Sequence, residues 1–153
     1  SSDVCSSDLI QDRQKHLARM MRMIALADIV KLSDEDLAWF AEPGEEHAVI
    51  RRWLALGPKL IVVTRGADGA DAWTANFHLH VPGIRVTVAD TVGAGDTVNA
   101  GILASLSQAG LLEKPKLVTL SREQVRRAVD LGMRAAAVTV SRPGANPPWD
   151  HEL

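Results

Sequence analysis

Five consecutive residues, Leu60-Ile61-Val62-Val63-Thr64, constrain this chain more than any other stretch. A strand with one wet face alternates polar and apolar residues, whereas an unbroken apolar run needs cover on both faces. Helices must then lie on either side of the sheet that contains it, and the surrounding pattern supplies them. Leu17, Met20, Met21 and Ile24 recur at three- and four-residue spacing, which predicts an amphipathic helix over 10–26. A short buried strand over 27–32 follows. Ser33 reads as a helix N-cap, with Asp34, Glu35 and Asp36 in the first turn, where negative charge suits the helix dipole. That helix carries Leu37, Trp39 and Phe40 and stops near Pro43-Gly44, and another over 45–56 ends at Gly57-Pro58.

Beyond the apolar strand, Gly66 and Gly69 bracket a turn, and residues 70–75 and 77–81 alternate as an antiparallel hairpin. Residues 84–88 predict one more short strand. A glycine-rich loop over 90–96 leads into a helix of small residues over 97–109, closed by Gly110. After a connector over 111–120, Ser121 opens a last alanine-rich helix to about residue 137, and 142–149 is loop. Strands alternating with helices predict an α/β domain with a mainly parallel sheet.

The composition agrees with such a domain. The chain has 153 residues, 46% hydrophobic and 24% charged, enough for a core and unlike a disordered chain. Seventeen Lys and Arg against nineteen Asp and Glu leave a net charge of −2, with no basic patch to draw nucleic acid or anionic lipid. The single cysteine, Cys5, excludes an internal disulfide framework and a multi-cysteine zinc site. No apolar run approaches the ~20 residues that span a bilayer. Residues 1–9, SSDVCSSDL, repeat Ser-Ser-Asp and have no h-region, so they read as a foreign leader or assembly scar rather than a signal peptide. The remainder, 10–153, then reads as the end of a longer protein.

Chemistry concentrates in Asp90-Thr-Val-Gly-Ala-Gly-Asp-Thr-Val-Asn-Ala-Gly101. Gly93 and Gly95 permit unusual dihedrals, so successive N–H groups can converge on an anion at the positive end of the next helix. Asp96 stands within reach of the same point, where a carboxylate could accept a hydroxyl proton during phosphoryl transfer. The competing reading is structural, since an Asp after Gly-x-Gly often only caps a helix. The segment lacks the Gly-Lys-Ser/Thr of a Walker A loop, and Val98 stands where a dinucleotide loop needs its third glycine.

This segment closely resembles the C-terminal signature of the PfkB carbohydrate kinases, the ribokinase-like sugar kinases. The resemblance extends to Val30–Asp36, Val62–Gly69 and Ala136–Ala145, in that order, and covers roughly 10–149. It implies the C-terminal part of a ribokinase-like three-layer α/β/α fold, without the family's N-terminal sugar-binding half. It implies Asp96 as the catalytic base and Gly93, Ala94 and Gly95 as an anion hole for the transferred phosphoryl group. It further implies Thr64, Gly66 and Gly69 lining the ATP site, with Asn99 near the nucleotide. Asp90, Val92, Thr139, Arg142 and Gly144 fall where relatives give mostly backbone oxygens to a monovalent cation, which suggests K+. The family's Asn-x-x-Glu is replaced here by Ser33-Asp34-Glu35-Asp36, as in fructokinase-like members. Asp36 could then act on Mg2+ through waters, or merely complement the dipole of its helix.

The resemblance implies that the intact parent phosphorylates a sugar hydroxyl, of fructose or a related ketose, from ATP. The present chain would hold the ATP site and base and be weakly active or inactive alone. Sugar and ATP are the expected partners, with no nucleic acid or membrane, a homodimer conceivable for the parent, and a cytoplasmic location. The alternatives are a nucleoside or sugar-acid kinase of the same family, and a non-catalytic nucleotide-binding fragment. Other residues read as structural. His78 and His80 share one face of a hairpin but show no third metal ligand, Trp39, Trp53 and Trp73 read as packing, and Arg122–Arg134 as a solvated helix face.

Overall fold

The computed structural model describes residues 12–41 and 43–153. The leader expected over 1–9, with Cys5, and the start of the first expected helix lie outside the described residues. The chain runs α1 (Arg13–Leu26), β1 (Ile29–Ser33), α2 (Asp34–Leu37), α3 (Glu46–Leu56), β2 (Leu60–Thr64), a 3-10 turn (Gly66–Asp68), β3 (Ala70–Trp73) and β4 (His78–Val81). Then come α4 (Ala94–Gln108), α5 (Lys114–Leu117), α6 (Arg122–Val140) and a 3-10 turn at Asp150–Glu152.

The unbroken run is covered on both faces, as its sequence demands. Leu60, Ile61, Val62 and Val63 are fully buried. Leu60 and Val62 join one cluster with Val98, Ile102 and Leu106 of α4 and Val125, Val129 and Met133 of α6. Ile61 and Val63 join the other, with Ile24 of α1, Leu37 of α2, and Val49, Ile50 and Trp53 of α3. The architecture is therefore helix, sheet, helix. The sheet order is β1-β2-β3-β4, with β1 and β2 parallel and the other two pairs antiparallel. This portion of the sheet is thus mixed: a hairpin turn can return the chain only antiparallel, while the α2–α3 crossover permits the one parallel pair. Trp53 and Trp73 are buried as expected and Phe40 meets Trp53 edge-on at 5.0 Å, while Trp39 is half-buried, with the Arg13 guanidinium over its ring.

Five features differ from the sequence reading. The helix after Ser33 ends at Leu37, not near Pro43, because the chain turns there to send Phe40 onto Trp53. Residues 84–88 form no strand: among the described residues no strand lies beside them to share hydrogen bonds. Ile84, Val86 and Val88 stay largely exposed, and the next two N–H groups, of Ala89 and Asp90, donate to Val140 O instead. The expected connector contains α5, and α6 continues past Ala137 to Val140. Most consequentially, α4 starts at Ala94, three residues before the expected Thr97.

Helix α4 lies against α6 at a pair of glycines. A Cβ added to Gly101 would stand 2.6 Å from Gly132 Cα, and one added to Gly132 would stand 2.7 Å from Val98 O. These neighbours are backbone and cannot rotate away, so a methyl at either site forces the helices apart. Gly101→Ala and Gly132→Ala should each destabilise the fold by about 1–3 kcal/mol. The effect is expected as a lower urea midpoint at unchanged slope, and the double substitution should cost less than the sum, because one separation relieves both clashes.

Candidate functional site

The site is built on the N-terminus of α4. Gly93 is the N-cap, with φ +78, and among the described residues no side chain caps the helix. An L side chain there costs roughly 1–2 kcal/mol, and a Cβ would also press on Ala145 Cβ at 3.1 Å. The left-handed turn brings the chain from Val92 into the helix within two residues. Asp96 therefore lies at the third helical position, not at the cap, and its carboxylate accepts no hydrogen bond among the described residues. The capping explanation for Asp96 has no support in this geometry. The N–H groups of Gly95 and Asp96 likewise have no partner among the described residues, while that of Ala94 donates to Thr91 O at 3.3 Å. Two free N–H groups and one free carboxylate thus share a single helix turn.

The cap is held from below by hydroxyls. Thr97 is buried, and its Oγ1 donates to Gly93 O at 2.8 Å. Thr139 of α6, fully buried, lies 3.2 Å from Thr97 Oγ1 and donates to Ala135 O at 3.0 Å. Its side chain is committed to helix packing, and its carbonyl accepts from the Arg142 N–H.

Asp90 ties two loops together. One carboxylate oxygen accepts from Val92 N and the other from Gly144 N, both at 3.0 Å. These bonds hold its pKa below the usual Asp value, Val92 contributing most and Gly144 next. Asp90, Val92 and Gly144 are therefore brought together, and a cation there would face backbone carbonyls, since both Asp90 oxygens already have donors. The Arg142 guanidinium points elsewhere, onto Glu152, whose pKa it lowers to about 2.

At the neighbouring sheet end, Ser33 and Thr64 are register partners at the ends of β1 and β2. Thr64 Oγ1 donates to Leu32 O at 3.4 Å, and the turn beyond is closed by the Arg65 N–H donating to Gly69 O at 2.8 Å. Gly66 and Gly69 both have positive φ, and Gly69 admits no side chain because a Cβ would stand 2.1 Å from Val81 O. Arg65 anchors this turn to Glu46 at 2.8 Å and to Asp71 at 2.7 Å. Asp36 closes a capping box with Ser33: Asp36 N donates to Ser33 Oγ at 3.0 Å and Ser33 N to Asp36 Oδ2 at 3.3 Å. One carboxylate oxygen of Asp36 stays free of that box. Asn99 is exposed on α4 one turn beyond Asp96.

Two features were not singled out from sequence. Thr97 looks like any small helical residue, and only its contact with Thr139 reveals its part. Lys31 is the second. It interrupts an otherwise apolar strand, and that interruption is the one signal that could have found it. Its Nζ lies 2.7 Å from where a Cβ of Gly95 would be. Burial lowers its pKa, partly opposed by the charges of Asp36 and then Asp96. Away from the site, His78 and His80 do acquire a third neighbour, Asp71 Oδ1, at 3.2 and 3.0 Å. Arg65 already occupies that carboxylate, and no cluster among the described residues has metal-holding geometry.

A family profile, pfkB family carbohydrate kinase, matches residues 3–152. The chain is 50% identical over 121 residues to the fructokinase of Rhizobium leguminosarum bv. trifolii, covering 79% of this chain and 37% of that protein. Its fold is similar to the fructokinase of Xylella fastidiosa solved with bound ATP, at TM-score 0.76 and 29% identity over 84% of this chain and 41% of that one. It is also similar to a double mutant of the Vibrio cholerae O395 fructokinase with fructose, ADP and potassium ion bound. That match has TM-score 0.72 and 30% identity, over 88% of this chain and 41% of the other. The chain thus spans less than half the length of these relatives.

The Asp90 tether gives a measurable titration. Its folded pKa is depressed, so the tether is complete above the ordinary Asp value and is lost as pH falls through the folded value. The amide resonances of Val92 and Gly144 should shift together below that ordinary value, and Asp90→Asn should abolish the shared transition. Independent titrations of the two amides would contradict the tether.

Proposed function

The chain belongs to the pfkB family of carbohydrate kinases, and on that premise we propose that it carries the nucleotide site and catalytic base of a kinase acting on fructose or a related ketose. The observation that carries the reading is the first turn of α4, where two free N–H groups and the unbonded carboxylate of Asp96 stand above a glycine cap. A helix N-terminus with unpartnered N–H groups suits a phosphate, and a carboxylate one residue further suits a proton acceptor. The fructokinases similar to this chain, one solved with ATP and one with fructose and ADP, support the same assignment.

When bound, ATP would supply the phosphoryl group and Mg2+ would offset part of its charge. The chain's residues supply the rest. Asp96 accepts the proton of the acceptor hydroxyl as that oxygen bonds to phosphorus and the bond to the departing ADP oxygen breaks. The N–H groups of Gly95 and Asp96 stabilise the charge that develops on the transferred group. Ala94 contributes less, because its N–H is engaged by Thr91 O. Gly93 supplies the turn that aims the others. Thr64, Gly66 and Gly69 line the nucleotide side, with Asn99 beside it, and Asp36 is the residue that would help hold Mg2+ with its free oxygen, through water. Backbone carbonyls around Asp90, Val92, Thr139, Arg142 and Gly144 would hold a monovalent cation, in keeping with the potassium in the Vibrio cholerae structure. The acceptor site belongs to the remainder of a longer parent, so residues 10–153 alone turn over slowly or not at all.

Asp96→Asn, in a parent that includes an N-terminal half, should lower kcat at least about 100-fold while leaving ATP affinity within a few-fold. A coupled ADP-release assay with fructose measures the first and calorimetry the second. Small loss of turnover would remove Asp96 as the base. A preference for nucleosides over ketoses in the same assay would move the substrate class.

A further inference from the structure

Lys31 sits mid-strand in β1, where successive side chains alternate between the two sheet faces. Ile29 packs with the cluster beneath α4 and α6, and Val30 and Leu32 with the opposite cluster. Lys31 therefore points to the α4 side, and its Nζ lies over Gly95 in the first turn of that helix. Among the described residues it forms no ion pair within 4.0 Å, so Asp36 and Asp96 act on it only through space.

This placement is electrostatically unfavourable as it stands. The N-terminus of a helix carries a partial positive charge and prefers anions nearby, yet a partly buried ammonium has been brought against it. The free N–H groups of Gly95 and Asp96 add further positive poles. An anion between the ammonium and those N–H groups resolves the conflict, because it interacts favourably with all of them. Asp96 and Asp36 offset the charge only in part, since neither carboxylate touches the amine. A phosphate offers oxygens for both sides at once.

Building on the nucleotide reading given above, we propose that Lys31 is the side-chain cation that grips the terminal phosphate of a bound nucleoside triphosphate, opposite the N–H groups of Gly95 and Asp96. The ammonium keeps its proton throughout. It touches the oxygens of the transferred group before and during transfer, and Asp96 takes the acceptor's proton. Asp36, on the next element, helps keep the amine charged through its field.

The test uses this chain with the Mg2+ complex of the non-hydrolysable analogue AMP-PNP, with AMP as the control lacking the terminal phosphate. Lys31→Met should weaken AMP-PNP about 10-fold or more in calorimetry and leave AMP affinity unchanged. In wild type carrying 13Cε-labelled lysine, the Lys31 resonance should titrate at higher pH with AMP-PNP than without it, and AMP should leave it in place. A purely structural lysine would show neither the triphosphate dependence nor that shift. If wild type binds AMP-PNP and Lys31→Met binds it equally well, the assignment of Lys31 is overturned and the nucleotide site stands. If wild type binds neither nucleotide, or binds both equally, the triphosphate site itself falls and this inference with it. Should Lys31→Met fail to fold by circular dichroism, the wild-type titration decides alone, and an amine unmoved by AMP-PNP overturns the proposal.

Discussion

The close approach of α4 and α6 at Gly101 and Gly132 is the constraint on which the rest of the site depends. With no side chain at either position, the helix backbones come close enough for Thr139 to meet Thr97. Thr97 in turn holds the Gly93 carbonyl, so the cap is referenced to the core rather than to a loop. Asp90 adds a second reference by binding Gly144 beyond the end of α6. A loop dominated by glycine would otherwise be among the least ordered parts of a chain. Here it is held at both its carbonyl and its flanking carboxylate.

Three carboxylates near this turn show how environment divides similar groups into different tasks. Asp90 is saturated by two backbone donors and serves as a tether. Asp36 spends one oxygen on a capping box and keeps the other. Asp96 spends neither, although it lies in the first turn of a helix where capping would be the ordinary fate of an acidic side chain. Gly93 makes that freedom possible: a glycine in the left-handed region performs the turn that a capping side chain would otherwise stabilise, and Asp96 falls past the cap. Lys31 completes the arrangement with a positive charge approaching from the sheet.

Much of this was legible in the residues themselves. The run from Leu60 to Thr64 required two covering layers, and both are present. Helix caps at Ser33 and Ser121 fall where side-chain oxygens can reach the third helical N–H, a purely local matter. The Gly93–Asp96 segment stood out as an anion loop for the same local reason. What stayed hidden depended on contacts distant in sequence. Helix α4 starts three residues earlier than expected because Gly93 and Gly95 have low helix propensity and so read locally as loop. The strand expected over 84–88 failed because β-branched residues become a strand only beside a partner. Nothing local marks Lys31 beyond its charge in an apolar strand; the fold sets it over Gly95, 64 residues away in number.

The sequence by itself therefore determined the layers, the caps and the chemical type of the glycine loop, because each follows from alternation, spacing or dihedral preference within a few residues. Only the tertiary structure decided that Asp96 is uncapped, that Asp90 is a tether, and that a lysine from β1 meets the N-terminus of α4. Those outcomes rest on how closely two helices approach and on which face of a strand meets which helix. Such distances are set by packing across the core, and no local pattern along the chain encodes them.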